Sequence, residues 1–355
     1  MNNDQKKVIK LLIVDDSAFM RAALERMLKD EPDISVIASA SNGKEAIEKA
    51  MRLRPDVITL DIEMPVMDGL QALRELMRML PLPVIMLSGL TQQGARAAFQ
   101  ALELGAVDFI GKPGSGLSLN IFELKEQLLT KIRTAASSSP QPGKIFVSKE
   151  GFHHNNSNPG IFSPDRLIVI GASTGGPPAI ETLLSTFPAI FSASIVIAQH
   201  MPPVFTNALA QRLNSICKIK VKEALDGEIL QNSIAYICPG GLQTKIVKLS
   251  NGNAAFQIFH EPREKCRFSP TIDLLFESGL NVYGRKCLGV ILTGMGEDGV
   301  AGLRKIYDAG GLTIVQDKTT SVVFGMPKAA AEAGAASRVL PITEIAHDLI
   351  LALNS

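Results

Sequence analysis

Short apolar runs alternate with amphipathic stretches along the first third of the chain. Leu11–Asp15, Ile34–Ala38, Val57–Asp61, Val84–Ser88 and Val107–Ile110 read as strands. Between them, apolar residues recur at helical spacing over Ala18–Lys29, Lys44–Arg52, Leu70–Leu80, Gln92–Leu104 and Ile121–Thr134. Such alternation predicts a parallel sheet with helices on both faces. The unbroken Val-Ile-Thr-Leu of the third run fits a strand covered on both sides. From Ala135 to about Asp165 the pattern lapses into Ser-Pro-Gln-Pro-Gly and His-His-Asn-Asn-Ser-Asn-Pro-Gly, which is linker chemistry. Within it, Ile145-Phe146-Val147 is a short apolar run suited to docking on a domain, and His153 and His154 read as solvated linker residues rather than metal ligands.

The alternation then restarts. Strands are expected at Leu167–Ile170, Ile195–Ala198, Ile219–Glu223, Ile234–Cys238, Thr244–Leu249, Ala255–Phe259, Leu288–Leu292 and Leu312–Val315. Helices are expected at Pro178–Phe187, Phe205–Leu213, Thr271–Gly279, Gly299–Ala309, Pro327–Ala333 and Ile342–Leu353. The prediction is α/β throughout: two doubly wound parallel-sheet domains, the second with a β-hairpin insertion. At 355 residues, the chain is long enough for two ordinary cores.

Composition narrows the picture. Hydrophobic residues make up 46% and charged residues 20%, a globular balance. A net charge of +1 gives no general field for nucleic acid. Cys217, Cys238, Cys266 and Cys287 form no CxxC pair and read as reduced packing residues. The apolar run after Lys6, Lys7 and Lys10 stops at Asp15, so it predicts a strand and not a signal peptide, and no stretch is long enough to span a bilayer. A cytoplasmic, monomeric protein is expected.

Two sets of polar residues then stand out, because ligands bind outside the carboxyl ends of strands in open parallel sheets. In the first domain, Asp15, Asp16, Asp61, Ser88 and Lys112 all fall at such ends. Clustered carboxylates repel one another and call for a divalent cation, and an oxygen-rich set suits magnesium. Asp16 and Asp61 are expected to bind it directly, Asp15 through water, and the Glu63 carbonyl to complete the protein ligands. Asp61 is then a carboxylate nucleophile for a phosphoryl group, with Ser88 and Lys112 on the phosphoryl oxygens. Phe109 is placed to change rotamer as Ser88 moves. Singly, each Asp has a plainer role as a helix cap. The full set, followed by Met64-Pro65-Val66-Met67-Asp68-Gly69, resembles the response-regulator receiver family.

In the second domain, Leu167-Ile-Val-Ile-Gly-Ala-Ser173-Thr-Gly-Gly-Pro-Pro178 is a strand, a Gly-rich turn and a helix start. Such a turn either cradles a phosphate or presents a serine nucleophile beside backbone N–H groups. The next strand ends in Gln199-His200, with no acid for a ribose, which favours the serine. Asp298 follows a later strand and can orient His200. Alone, Ser173 and Asp298 suit helix N-caps and His200 a turn. The order Ser, His, Asp differs from that of the α/β-hydrolases.

The motifs Gly-Ala-Ser-Thr-Gly-Gly, Gln-His-Met-Pro and Thr-Gly-Met-Gly-x-Asp-Gly, behind a receiver, resemble the chemotaxis protein-glutamate methylesterase (CheB) family nearly end to end. The resemblance implies a flavodoxin-like receiver over residues 8–134, a linker over 135–164 and a methylesterase domain over 165–355. It implies a catalytic triad of Ser173, His200 and Asp298, with backbone groups near Thr174 and Met295 as oxyanion donors. Glu297 fills a slot that varies in the family. The implied activity is phosphorylation-activated hydrolysis of glutamate γ-methyl esters, with deamidation of glutamines, on the cytoplasmic domains of methyl-accepting chemoreceptors. A chemotaxis histidine kinase is the implied phosphodonor, magnesium serves the receiver alone, and ester hydrolysis needs no cofactor. A fused receiver further implies that its unphosphorylated form obstructs Ser173. The rival is an output domain that binds a partner and catalyses nothing; a DNA-binding regulator is disfavoured for want of a helix-turn-helix ending.

Overall fold

The computed structural model describes residues 8–112, 120–138, 164–262 and 266–354. The chain divides into two compact units, Met1–Phe146 and Val147–Ser355.

The first unit contains strands β1 (Ile9–Val14), β2 (Ile34–Ala40), β3 (Val57–Asp61), β4 (Val84–Gly89) and β5 (Asp108–Lys112). They pair in parallel in the order β2-β1-β3-β4-β5. Helices α1 (Ala18–Leu28), α2 (Gly43–Leu53), α3 (Gly69–Met79), α4 (Gln92–Glu103) and α5 (Asn120–Ser137) connect or follow them. The first four helices start where a side chain can accept a free N–H: Ser17, Asn42, Asp68 and Thr91 bind the N–H groups of Met20, Glu45, Gln71 and Gly94. Every residue of β3 is buried, as its apolar run requires. Leu24 and Leu28 of α1 pack with Leu124, Leu128, Ile132 and Ala135 of α5 in one cluster. That helix therefore continues past Thr134, where the sequence pattern placed a linker, because fully buried Ala135 extends its apolar face by one turn. The Ile145-Phe146-Val147 run and the His153–His154 pair lie outside the described residues.

The second unit contains β6 (Arg166–Ala172), β7 (Ala193–Gln199), β8 (Lys220–Glu223), β9 (Ile234–Ile237), β10 (Gln243–Lys248), β11 (Ala254–Phe259), β12 (Cys287–Ile291), β13 (Thr313–Gln316) and β14 (Arg338–Leu340). Its helices are α6 (Gly176–Leu184), α7 (Pro203–Ile216), α8 (Ile272–Tyr283), α9 (Val300–Asp308), α10 (Met326–Glu332) and α11 (Ile342–Asn354). Seven strands form a parallel sheet in the order β14-β13-β12-β6-β7-β9-β8, and β10 and β11 form the antiparallel hairpin. The edge strand β14 was not anticipated: three residues, two of them exposed, carry no periodic signal.

The hairpin solves a local problem. Parallel β8 and β9 need a crossover, yet no helix lies between them. The connecting chain is paired to β11 instead: Leu230 N–H donates to the Ala254 carbonyl and Phe256 N–H to the Glu228 carbonyl, both at 2.9 Å. Tyr236, Ile246 and Phe256 then join α8 residues in the core, with the Tyr236 and Phe256 rings 4.9 Å apart. Strand order reverses on either side of β1 in the first sheet and of β6 in the second. Those reversals open the crevices in which both polar clusters sit.

Candidate functional site

In the first crevice, Asp15 follows β1 and Asp61 ends β3. Their oxygens and that of exposed Asp16 lie within 4.8 Å of one another. Asp15 and Asp61 are almost wholly buried. Lys112 at the end of β5 bridges them, with Nζ 2.8 Å from Asp15 Oδ2 and 2.6 Å from Asp61 Oδ2. Burial pushes the Asp61 carboxyl up to about 6, against the downward pull of Lys112. Burial also opposes the Lys112 charge, but hydrogen bonds to Asp15 and Asp61 outweigh it and hold its pKa above the usual value.

Three carboxylates against one ammonium leave a formal charge of −2, and the donors are all oxygen. A hard divalent cation fits that set. A cleft of about 300 Å³ lies over it, lined by Asp16, Asp61, Ile62, Glu63, Ser88, Gly89 and Lys112. The Ser88 hydroxyl donates to the Gly94 carbonyl at 2.8 Å. Gly94 is required there, since a Cβ would stand 2.4 Å from the Gly89 carbonyl oxygen. Phe109 is buried with its ring edge-on to Phe99, 5.9 Å between centroids.

The second crevice collects groups from three strands. Ala172 of β6 pairs with Gln199 of β7, so Ser173 and His200 are the next residues beyond that pair. His200 N–H donates to the Ala172 carbonyl at 3.1 Å, closing the two strand ends together. From beyond β12, Asp298 reaches the imidazole tip: His200 Nε2 lies 2.8 Å from Asp298 Oδ2. The carboxylate also accepts from Ile272 N–H at 2.8 Å and Asp273 N–H at 3.1 Å, at the first turn of α8. Two backbone N–H donors leave the carboxylate in the role of acceptor. An ionised carboxylate only accepts, so the Nε2 position carries the imidazole proton and Nδ1 carries the lone pair. Nδ1 is buried and has no hydrogen-bond partner among the described residues.

The structure thus joins His200 to Asp298 and sets Ser173 beside them at the adjoining strand end. Among the described residues, Ser173 and His200 share no hydrogen bond, a common state of a serine hydrolase site before substrate binds. Thr174 is buried, and Met295 is 39% exposed beside the glycines that follow β12. Exposed Glu297 precedes Asp298.

Several residues support the site, and the sequence reading gave none of them a role. Buried Gln199 donates from Nε2 to the Ser173 carbonyl at 2.9 Å. Gly176 leaves space for that amide, because a Cβ there would stand 1.9 Å from Gln199 Oε1. Gly294 similarly admits Ser173, whose Cβ would lie 2.8 Å from an added Cβ. Phe268 stacks on the His200 ring, with centroids 4.2 Å apart and planes at 8°. The glycines were visible in sequence as a turn; the partner each one accommodates was not.

The CheB methylesterase family model matches residues 168–349, and the response regulator receiver domain model matches residues 11–120. A protein-glutamate methylesterase/protein-glutamine glutaminase of Geobacillus kaustophilus is 42% identical over 349 residues, spanning 97% of this chain and 98% of that one. A protein of the same name from Pyrococcus abyssi is also 42% identical, over 98% of this chain and 94% of its own. The crystal structure of the Thermotoga maritima CheB methylesterase catalytic domain superposes with a TM-score of 0.51 at 41% identity. It covers 54% of this chain and 100% of that one.

Proposed function

Because the chain belongs to the CheB methylesterase family and carries a response-regulator receiver domain ahead of the esterase, we propose that Ser173, His200 and Asp298 form its catalytic centre and Asp61 its phosphorylated switch. The enzyme is a protein-glutamate methylesterase and protein-glutamine glutaminase regulated by phosphorylation. One observation carries the assignment of the centre: Asp298 holds the imidazole by Nε2, leaving a buried, unpartnered Nδ1 at the strand end beside Ser173.

His200 Nδ1 takes the proton of the Ser173 hydroxyl as Oγ bonds to the ester carbonyl carbon. The carbonyl electron pair moves onto oxygen, where backbone N–H groups near Thr174 and Met295 receive it. The carbon–methoxyl bond then breaks, Nδ1–H protonates the leaving oxygen, and methanol departs. Water attacks the glutamyl-serine ester, gives one proton to Nδ1, and the carbon–Oγ bond breaks as that proton returns to Ser173. A glutamine follows the same course with ammonia leaving. Asp298 fixes the tautomer and stabilises the imidazolium, and no cofactor enters.

In the receiver, Asp16 and Asp61 would hold magnesium directly, with Asp15 through water and the Glu63 carbonyl, and the ion would supply positive charge against the carboxylates. An Asp61 oxygen attacks phosphorus of the kinase's phosphohistidine, the P–N bond breaks and the imidazole leaves, with Lys112 and Ser88 on the phosphoryl oxygens. Ser88 leaves the Gly94 carbonyl to do so, and Phe109 follows. The substrates are the cytoplasmic domains of methyl-accepting chemoreceptors, the donor is a chemotaxis histidine kinase, and the work is done in the cytoplasm. No helix among the described residues is long and apolar enough to cross a membrane.

The test is methanol release from membranes bearing methyl-esterified receptors, with and without a small-molecule phosphodonor. Ser173→Ala abolishes release on this proposal; undiminished release would leave the rival of a non-catalytic binding domain standing for this site. Asp61→Ala removes the stimulation by phosphodonor and leaves the basal rate.

A further inference from the structure

An imidazole hydrogen-bonded at one nitrogen still has freedom to rock about its bond to Cβ, because χ2 of histidine is broad. At His200 the edge held is the tip, Nε2, and the basic atom Nδ1 has no polar partner among the described residues to fix it. Rocking about the tip displaces the basic edge. Something other than hydrogen bonding must therefore hold the ring plane while Ser173 is deprotonated.

Phe268 meets that need. Its ring lies parallel to the imidazole, within 8°, at a centroid distance of 4.2 Å. The loop carrying it is fixed by a fully buried side chain, Gln243. Gln243 Nε2 donates to the Phe268 carbonyl at 2.8 Å, and its contacts with Ser269 Oγ and Thr271 Oγ1 are 3.3 Å and 3.1 Å. Gln243 Oε1 accepts from Thr271 N–H at 2.9 Å, and Thr271 Oγ1 in turn donates to the Phe268 carbonyl at 2.9 Å. Thr271 is the residue before α8, whose first N–H groups hold Asp298. Face partner and edge partner of the imidazole are thus referenced to the same helix terminus.

We propose that Phe268 is a positioning residue for the esterase: stacked on His200 and clamped by Gln243, it fixes the imidazole plane so that Nδ1 faces the Ser173 hydroxyl. This rests on the assignment of His200 as general base. Phe268 exchanges no proton. It acts through His200, so its removal lowers kcat and spares substrate binding. A displacement of the base by about 1 Å is enough to cost roughly 100-fold in rate.

The test uses the full-length protein activated by a small acyl phosphate with magnesium, measuring kcat and KM for methanol release from methyl-esterified receptor membranes. Phe268→Leu and Phe268→Met keep apolar bulk without a ring and are expected to lower kcat by about 10- to 100-fold with KM within about twofold. Phe268→Tyr restores the ring face and is expected to recover kcat to within about threefold of the parent. The ¹⁵N shifts of His200 give a readout that loss of loop packing alone would not move. One tautomer, protonated at Nε2, is expected in the parent and in Phe268→Tyr, and averaged shifts in Phe268→Leu. The proposal is overturned if Phe268→Leu keeps kcat within twofold while His200→Ala is inactive, or if Phe268→Tyr is as slow as Phe268→Leu. Full activity in His200→Ala would instead remove the general base on which the proposal rests.

Discussion

At the scale of single residues, two buried carboxylates take different partners. Asp298 takes two backbone N–H groups and the imidazole tip of His200 as partners. Asp298→Asn turns an amide NH₂ toward donors already in place, so kcat is expected to fall by roughly 10³- to 10⁴-fold. The ¹⁵N shifts of His200 should show the proton leaving Nε2. Asp61 is buried, and its carboxyl rises from the ordinary 3.8 to about 6. An acid whose folded pKa is raised stabilises the fold fully below its unfolded value, and that contribution is lost as the pH rises through the folded value. At pH 7.5 without magnesium, charged Asp61 is thus a burden on the receiver. Asp61→Asn should raise the receiver's unfolding midpoint at pH 7.5 and change it little near pH 4. Added magnesium should close the gap by lowering the Asp61 pKa in the parent, measured by carboxyl NMR titration. A midpoint that falls at pH 7.5 would show that the Lys112 ion pairs outweigh burial.

At the scale of elements, both polar sheet edges are built by turns whose backbone must bend sharply. In the turn after β3, Val66 has φ of 69° and is 83% exposed. A β-branched side chain is poorly suited to that left-handed region, and among the described residues little packs on it to compensate. Val66→Asn should stabilise the receiver by about 1 kcal/mol, read as a shift in urea midpoint with an unchanged slope. The turn after β6 places a glycine instead: Gly175 has φ of 76°, and a Cβ would meet Val322 at 2.6 Å. The difference follows from surroundings. Beside Asp61 the chain faces solvent and strain is the whole cost, whereas beside Ser173 a second loop closes over the turn.

At the scale of the whole molecule, each unit has its own sheet and core, so each is expected to unfold as its own cooperative transition. Magnesium with beryllofluoride, a phosphoryl mimic, should raise the receiver transition by mass action and leave the esterase transition in place, measured by calorimetry. Removing the residues before about Asp165 should yield an esterase whose methanol release no longer responds to phosphodonor. A truncated protein that folds, as judged by its melting transition, yet shows only the unstimulated rate would mean that the phosphorylated receiver activates rather than releases the esterase.

The sequence by itself determined a great deal of this protein. Alternating strand and helix periods with two Gly-rich turns required two parallel α/β sheets, and that topology sends Asp15, Asp61 and Lys112 to one edge and Ser173, His200 and Asp298 to another. Those residues were legible because they are strand-end residues, and strand ends are fixed by local pattern. Tertiary structure alone decided how they meet. It turned the imidazole tip toward Asp298, brought Phe268 onto the ring from a loop far along the chain, and buried Gln243 to hold that loop. It also carried α5 past the apparent linker and added β14 at a sheet edge. None of these has a period or a motif, because each depends on contacts between segments far apart in sequence, where one side chain's position is set by another's bulk rather than by its own neighbours.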